Sequence, residues 1–206
     1  MSYHINKNNI LQITARRFPP EIRVKKECLS LVEAGYNCAV LCPAFDGQTE
    51  IDSWRGIKIY RFKAQSNLLN NLDKALYFSL FFSYYWHKAL KKAINDFHPR
   101  VIHIHDIWLG RTIFSVKNDE KYVIDLHENM PDAVNEYAKA YHGLRKFFHV
   151  LFQNHKRIKM YERSLLYKSD KVFVVVEEAK QRVLDYHPNL GNDKIVNIEN
   201  LSLIHI

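Results

Sequence analysis

Residues 10–42 read ILQITARRFPPEIRVKKECLSLVEAGYNCAVLC, which is an apolar run, a helical pattern and a second apolar run. Two prolines and an acid at residues 19–21 suit the first turn of a helix, and Gly35 follows the last apolar position. This punctuation predicts a helix over residues 20–34 between two strands. Two strands joined through one helix form a β-α-β unit with a right-handed crossover, so the two strands are expected to be parallel.

The same alternation continues along the chain. Short apolar segments rich in β-branched residues lie at 10–15, 38–42, 57–62, 101–105, 122–126, 172–176 and 195–198. Most are continuous rather than alternating, which is typical of strands covered on both faces. Helical patterns are predicted between them, with long ones at residues 70–95 and 144–168. The fold class predicted is therefore α/β, a doubly wound, mainly parallel Rossmann-like sheet with helices on both faces.

Composition narrows the class of protein. A chain of 206 residues that is 47% hydrophobic and 25% charged is typical of one globular domain and argues against disorder. Residues 1–9 are polar and lack the apolar core of a secretion signal, which predicts a cytoplasmic location. The three cysteines are an odd number without metal-site spacing, so we expect them to be reduced, buried and structural.

The net charge of +8 indicates an anionic partner. The helical patterns at 70–95 and 144–168 carry aromatic and aliphatic residues beside lysine and arginine. Packing against the sheet explains such amphipathic segments, and peripheral contact with an anionic membrane at its inner face is the alternative. Nucleic acid is not an expected partner, because the basic residues are spread among helices and form no nucleic-acid motif.

Polar side chains follow the predicted strand at residues 101–105, where His103, His105 and Asp106 stand. Ligands bind at the carboxyl ends of strands in open parallel sheets. Because side chains two apart on a strand point to one face, His103 and His105 are expected to lie together.

The predicted strand at residues 122–126 ends in the same manner, with His127 and Glu128. A histidine beside a carboxylate can donate a hydrogen bond to a sugar hydroxyl or phosphate, or move a proton. We expect this strand end and the preceding one to converge on one cleft. Asp125 is expected to matter less, on the view that alternation turns it away from His127.

The loop between the first strand and the first helix is a third candidate. A helix N-terminus offers backbone N–H groups to an anion, and Arg16, Arg17 and Arg23 add positive charge. A glycine-rich phosphate motif occurs nowhere in the sequence.

Four segments in this order, residues 22–36, 101–106, 124–128 and 169–176, resemble the acceptor-side domain of retaining glycosyltransferases of family 4. That family has the GT-B fold of two facing Rossmann-like domains. The resemblance implies a hexosyltransferase-type enzyme that transfers a sugar from a nucleotide-diphosphate sugar to an acceptor hydroxyl with retention. It also implies no cofactor and no metal, a carbohydrate or lipid-linked acceptor, and a role in cell-surface polysaccharide or glycolipid synthesis.

The resemblance further implies roles for single residues. His127 corresponds to the catalytic residue that reaches the sugar and phosphate of the donor. The expected substrate-binding residues are Glu21, Arg23, His105, Asp106 and Glu128, and the expected donor-phosphate residues are Arg16 and Arg17. Many relatives carry a pair of glycines in this loop, where this chain has Phe18-Pro19-Pro20-Glu21 and resembles a subgroup with an acid and Arg23 instead.

The domain organisation also follows from the resemblance. Residues 1–200 correspond to the acceptor-binding domain, and residues 201–206 to the start of an interdomain hinge or to a non-native tail. The donor-binding domain of the family is absent from the sequence, so the chain alone is expected to be inactive.

Two alternatives from other classes remain open. A metal-dependent hydrolase would use His103, His105 and Asp106, although such a site needs at least three ligands in fixed geometry. A non-enzymatic module bound to a membrane surface is the other alternative. Bound zinc would distinguish the hydrolase from the transferase.

Overall fold

The computed structural model describes residues 8–45, 47–63, 67–116, 119–140, 142–143, 147 and 151–198. The chain divides into two compact units, Met1–Tyr122 and Val123–Ile206. The predicted hinge or tail at residues 201–206 lies outside the described residues.

The first unit contains a mainly parallel sheet. Its strands are β1 (Asn9–Ile13), β2 (Asn37–Pro43), β3 (Ile51–Trp54), β4 (Ile57–Phe62) and β5 (Val101–His105). Its helices are α1 (Ile22–Glu33), α2 (Asn67–Leu80), α3 (Tyr84–Phe97) and α4 (Gly110–Ile113). The strand order is β3-β4-β2-β1-β5, and every neighbouring pair is parallel except β3 with β4. The parallel β1-α1-β2 unit predicted from residues 10–42 is confirmed.

Helices cover both faces of this sheet. Side chains alternate along β4, so neighbouring residues of this strand contact helices on opposite faces. Ile59 packs in one core cluster with Cys28 of α1. Lys58 and Tyr60, on the other face, both contact the carboxylate of Asp96 in α3 at 2.6 Å. The doubly wound α/β class predicted from the sequence is therefore confirmed.

The three cysteines are buried and free, as predicted. A hydrogen bond with Cys38 and then burial raise the pKa of the Cys28 thiol. Burial raises the pKa of Cys42 to about 11, against the opposing effect of Arg61. Thiols held in their protonated form are poor nucleophiles, so the role of these residues is packing.

The single helix predicted over residues 70–95 is wrong, since the structure breaks it between α2 and α3. Phe81 adopts a left-handed backbone with φ of 54°. Ser83 is the N-cap of α3, where its hydroxyl accepts a hydrogen bond from the Trp86 N–H at 3.3 Å. The same hydroxyl donates to the Asp73 carboxylate of α2 at 2.6 Å. A serine cap inside an apolar run was the sequence signal for this break.

The strand before β4 is an edge strand of the sheet. β3 pairs antiparallel with β4 across a two-residue turn at Arg55 and Gly56. Both turn residues have positive φ, 49° and 81°, as type I′ hairpins require. Arg61 of β4 donates to the Asp52 carboxylate of β3 at 2.7 Å and strengthens the pairing.

The second unit is a smaller parallel arrangement. Its elements are β6 (Lys121–Leu126), within which the boundary between the units falls, α5 (Met130–Lys139), α6 (His155–Lys168), β7 (Lys171–Val174), α7 (Glu177–Tyr186) and β8 (Ile195–Asn197). β7 pairs parallel with both β6 and β8.

The helix predicted over residues 144–168 is interrupted in the structure, because Leu151 and Phe152 are helical but Gln153 and Asn154 are not. Asn154 is extended and accepts a hydrogen bond from the Arg157 N–H at 3.0 Å, so α6 begins at His155. Residues 144–146 and 148–150 lie outside the described residues. None of the helices in the described part of the chain has the length and apolar character needed to cross a bilayer. Contact with a membrane surface stays a prediction.

A buried charge network joins α6 to the end of α7. Glu162 is fully buried, and its carboxylate lies 3.2 Å from both Arg182 Nη1 and His187 Nε2. Burying a carboxylate is unfavourable unless it is paired and hydrogen-bonded, and the Oε1 of Glu162 meets both conditions.

Replacing Glu162 by alanine is expected to lower the free energy of unfolding by about 3–5 kcal/mol, because a cation remains buried without its partner. Urea denaturation measures this change. The matched control is Glu177→Ala, which removes an exposed carboxylate 3.9 Å from Lys180. The control should stay within about 0.5 kcal/mol of the parent. Equal losses in the two variants would contradict a structural role for the network.

Candidate functional site

The end of β6 carries a pair of titratable side chains. The Asp125 Oδ2 lies 2.6 Å from the His127 Nε2, and each side chain is only 6% exposed. Strand alternation explains the contact, since residues two apart point to one side. The expectation that Asp125 is turned away from His127 is therefore wrong. The spacing that predicted the pairing of His103 with His105 could have found it.

This pair can hold and move a proton. The carboxylate of Asp125 can accept a hydrogen bond from the His127 Nε2–H. It also restricts the orientation of the ring, because the imidazole cannot rotate without losing the contact. Such a histidine can donate a hydrogen bond to an anionic oxygen or act as a general acid.

Glu128 follows at the junction between β6 and α5. Its backbone carbonyl accepts a hydrogen bond from the Met130 N–H at 3.0 Å, and the residue is exposed. Its carboxylate therefore lies at the surface beside the first turn of α5. Its role in substrate binding stays a prediction.

His103 and His105 lie together in the first unit, as alternation predicts, with ring centroids 4.6 Å apart. Glu27 of α1 approaches both, at 3.5 Å from His103 Nδ1 and 3.7 Å from His105 Nε2. The His105 Nε2 is also 2.8 Å from the Oε1 of the buried Gln12. His105 is thus held inside the unit by neighbouring polar groups, and its assignment to substrate binding stays a prediction.

The same residues bear on the metal-site alternative. Within the first unit, Glu27, His103 and His105 each offer a ligand atom, and these atoms lie within 4.8 Å of one another. Asp106, the third ligand expected from the sequence, is not in this set, and Glu27 from α1 takes its place. If His105 bound zinc through its Nε2, it would lose the contact with Gln12.

Asp106 directly follows β5 and adopts a left-handed backbone with φ of 66°. Residues other than glycine seldom adopt the left-handed region, but aspartate adopts it more readily than most. Burial, and then the negative charge of Asp106, raise the pKa of the Tyr77 hydroxyl in α2. The half-buried carboxylate therefore lies near α2, just beyond the carboxyl end of β5.

The loop between β1 and α1 concentrates positive charge. Glu21 is the N-cap of α1 and pairs with two guanidinium groups, Arg16 Nε at 3.7 Å and Arg23 Nε at 3.3 Å. Two cations on one carboxylate leave an excess of one positive charge. The Arg17 guanidinium lies over the Phe45 ring, 3.8 Å from its centroid. Since Arg16 and Arg17 are exposed, they are the side chains here that an anion can reach.

The structure thus distributes the predicted site residues between the two units. Arg16, Arg17, Glu21, Arg23, His105 and Asp106 belong to the first unit, and His127 and Glu128 belong to the second. In the first unit these residues follow or end parallel strands, so they share the carboxyl edge of its sheet. The convergence of the two groups on one cleft stays a prediction.

A protein family model matches most of the chain. The model of Glycosyltransferase Family 4 matches residues 21–200. The chain belongs to glycosyltransferase family 4. The resemblance to family 4 stated from the four sequence segments is thereby confirmed. No curated protein matches this family 4 chain in sequence.

Solved structures show the same fold. Sucrose-phosphate synthase from Thermosynechococcus elongatus matches with a TM-score of 0.64 at 13% identity, over 93% of this chain and 48% of that one. Arabidopsis thaliana UGT89C1, solved in complex with UDP-L-rhamnose, matches with a TM-score of 0.53 at 12% identity, over 98% and 50%. The family 4 chain therefore has the Rossmann-like fold of one half of a GT-B enzyme, and it spans about half the length of these structures.

Proposed function

We propose that this chain is the acceptor-side part of a retaining glycosyltransferase that uses a nucleotide-diphosphate sugar as donor. The observation that carries the proposal is the pair of Asp125 and His127 at the carboxyl end of β6. Membership in family 4 supports sugar transfer as the reaction. The complex of the structurally similar UGT89C1 with UDP-L-rhamnose supports a nucleotide sugar as the donor.

The reaction exchanges one bond at the anomeric carbon for another. The bond between that carbon and the diphosphate oxygen breaks, and the acceptor oxygen bonds to the same face of the sugar. The proton of the acceptor hydroxyl passes to the departing diphosphate, so charge and atoms balance. The barrier falls when positive groups stabilise the charge that develops on the leaving oxygen.

In this proposal His127 donates a hydrogen bond to the sugar or phosphate of the donor, and Asp125 holds its ring in position. Arg16, in the exposed loop after β1, adds positive potential for the diphosphate. No metal or other cofactor takes part. The acceptor is a carbohydrate or a lipid-linked hydroxyl compound, and cell-surface polysaccharide or glycolipid synthesis is the proposed setting.

The test uses the complete gene product with a panel of UDP-, GDP- and dTDP-linked sugars and simple acceptors. We expect release of a nucleoside diphosphate with one donor class, unchanged by EDTA, and a product whose anomeric proton coupling matches that of the donor. Inversion at the anomeric carbon would overturn the retaining mechanism. Failure to release nucleotide from every donor, together with stoichiometric zinc by elemental analysis, would favour the hydrolase instead.

A further inference from the structure

A groove with a volume of 480 Å³ lies in the first unit, between the β2-β4 end of the sheet and helices α2 and α3. This volume is within the roughly 300–1,000 Å³ of sites that bind small molecules. Its walls are mainly apolar and include Leu41, Tyr60, Phe62, Leu72, Leu76 and Tyr84. The groove contains none of the site residues predicted from the sequence.

Large apolar side chains remain accessible along this groove. Ile51, Leu72, Leu76 and Tyr84 are 49%, 56%, 40% and 59% exposed. Single exposed apolar residues are ordinary, but several around one concave surface mark a place where an apolar ligand binds. These four come from β3, α2 and α3, so the tertiary structure assembles them.

The charges at the groove are unequal. Of the two carboxylates, Glu50 is paired with Lys92 at 2.9 Å, and Asp73 accepts from the Tyr84 N–H at 2.5 Å. Lys63 and Lys88 also line the groove and have no ion pair among the residues that the structure describes. The groove therefore combines apolar walls with two ammonium groups that an anion can neutralise.

Arg61 also lines the groove, but its guanidinium already binds other groups of the protein. Its guanidinium donates to the Asp52 carboxylate at 2.7 Å and to the Phe18 carbonyl at 3.5 Å. Phe18 packs with Ile59 on the face of the sheet that α1 covers. Arg61 is therefore not counted among the groups that would hold an anion.

Tyr85 supplies a polar group. It lines the groove, and within the described part of the chain its buried hydroxyl has no hydrogen-bond partner. A buried hydroxyl without a partner is unfavourable by the free energy of its lost hydrogen bond to water. A ligand oxygen that accepts from this hydroxyl would remove that penalty.

We propose that this groove binds one amphiphilic molecule with a hydrocarbon chain and a phosphate head. The chain lies against Leu72, Leu76 and Tyr84, and the phosphate pairs with Lys63 and Lys88. Because β1, β2, β4 and β5 are parallel, the groove at the ends of β2 and β4 shares one sheet edge with Asp106 and the loop after β1. An amphiphile whose phosphate also carries a group with a free hydroxyl is thus placed to be the sugar acceptor, and this assignment rests on the proposed function.

The first test measures binding of octyl, decyl and dodecyl phosphate to the chain by calorimetry below their critical micelle concentrations. Burial of the hydrocarbon chain is expected to strengthen binding up to about fourfold for each added methylene. Dodecyl maltoside, which has an uncharged head, should bind at least about tenfold more weakly than dodecyl phosphate, because it cannot pair with the lysines. Equal binding of the two would overturn the assignment of a phosphate head.

The second test uses matched variants of α3. Lys88→Glu is expected to weaken dodecyl phosphate binding at least about tenfold, since a charge-assisted contact becomes repulsive. Lys91→Glu changes the charge of an exposed lysine that does not line the groove, so its affinity should stay within about twofold. Leu76→Glu should weaken binding as Lys88→Glu does. Circular dichroism verifies that all three variants are folded.

Equal losses in Lys88→Glu and Lys91→Glu would overturn the groove and indicate general electrostatics. Sedimentation with phosphatidylglycerol vesicles but no binding of monomeric alkyl phosphate would indicate a membrane surface instead. A failure of the groove proposal can be distinguished from a failure of the proposed function. Sugar transfer to a water-soluble carbohydrate without alkyl phosphate binding would reject the groove alone, whereas alkyl phosphate binding without transfer from any donor would reject the transferase alone.

Discussion

Replacing His127 by alanine in the complete gene product is expected to lower the rate of sugar transfer by about 10²–10⁴-fold, the usual contribution of a positioned proton donor or acceptor. The loss should appear mainly in kcat, because the contact with the donor strengthens as charge develops on the leaving oxygen. Initial rates of nucleotide release at saturating donor measure it.

His155 offers a matched control for this variant. It also belongs to the second unit and pairs with a carboxylate, at 3.0 Å from Asp132, but that pair is exposed at the start of α6. His155→Ala should leave turnover within about twofold, since exposed ion pairs contribute little. A His127→Ala protein that is folded and has parental turnover would remove His127 from the site.

Asp125→Asn is expected to lower turnover by about 10-fold to 100-fold, although the side chain keeps its size. The amide can donate as well as accept, so it no longer fixes a proton on the His127 Nε2, and it no longer holds the ring by charge. The loss should again appear in kcat, and Asp125→Glu should recover part of the activity, because it restores the negative charge.

A double variant distinguishes positioning from an independent effect. If Asp125 acts through His127, then Asp125→Asn combined with His127→Ala should be no slower than His127→Ala alone. Multiplication of the two losses would contradict this coupling. The free energy of unfolding of each variant, measured by urea denaturation, accounts for any loss that comes from stability.

Much of the fold could be predicted from the sequence because its strands and first helix have local signals. The helix after β1 begins within two residues of its predicted start, since prolines and Gly35 are read from neighbouring residues alone. The division between α2 and α3 was missed, because the apolar pattern continues across it. The hydrogen bond of Ser83 with Asp73, which favours the break, joins residues on two different helices.

The candidate site, like the fold, could be predicted only in part. His127 was found from its place after an apolar strand, and its contact with Asp125 follows from a spacing of two residues that was misread. The approach of Glu27 to His103 and His105 had no such signal. Helix α1 carries Glu27 and strand β5 carries the histidines, and only packing of the helix against the sheet unites them.

The order of apolar and helical segments was enough to predict an α/β fold and the strand ends where polar residues collect. The fold and the strand ends depend on periodicity and spacing, which neighbouring residues encode. The family was first indicated by the resemblance of four particular segments, and the family model then showed it. The apolar groove with Lys63 and Lys88 was visible only after folding. Its walls come from β2, β3, β4, α2 and α3, and the space between such elements depends on how all their side chains pack, which no local pattern specifies.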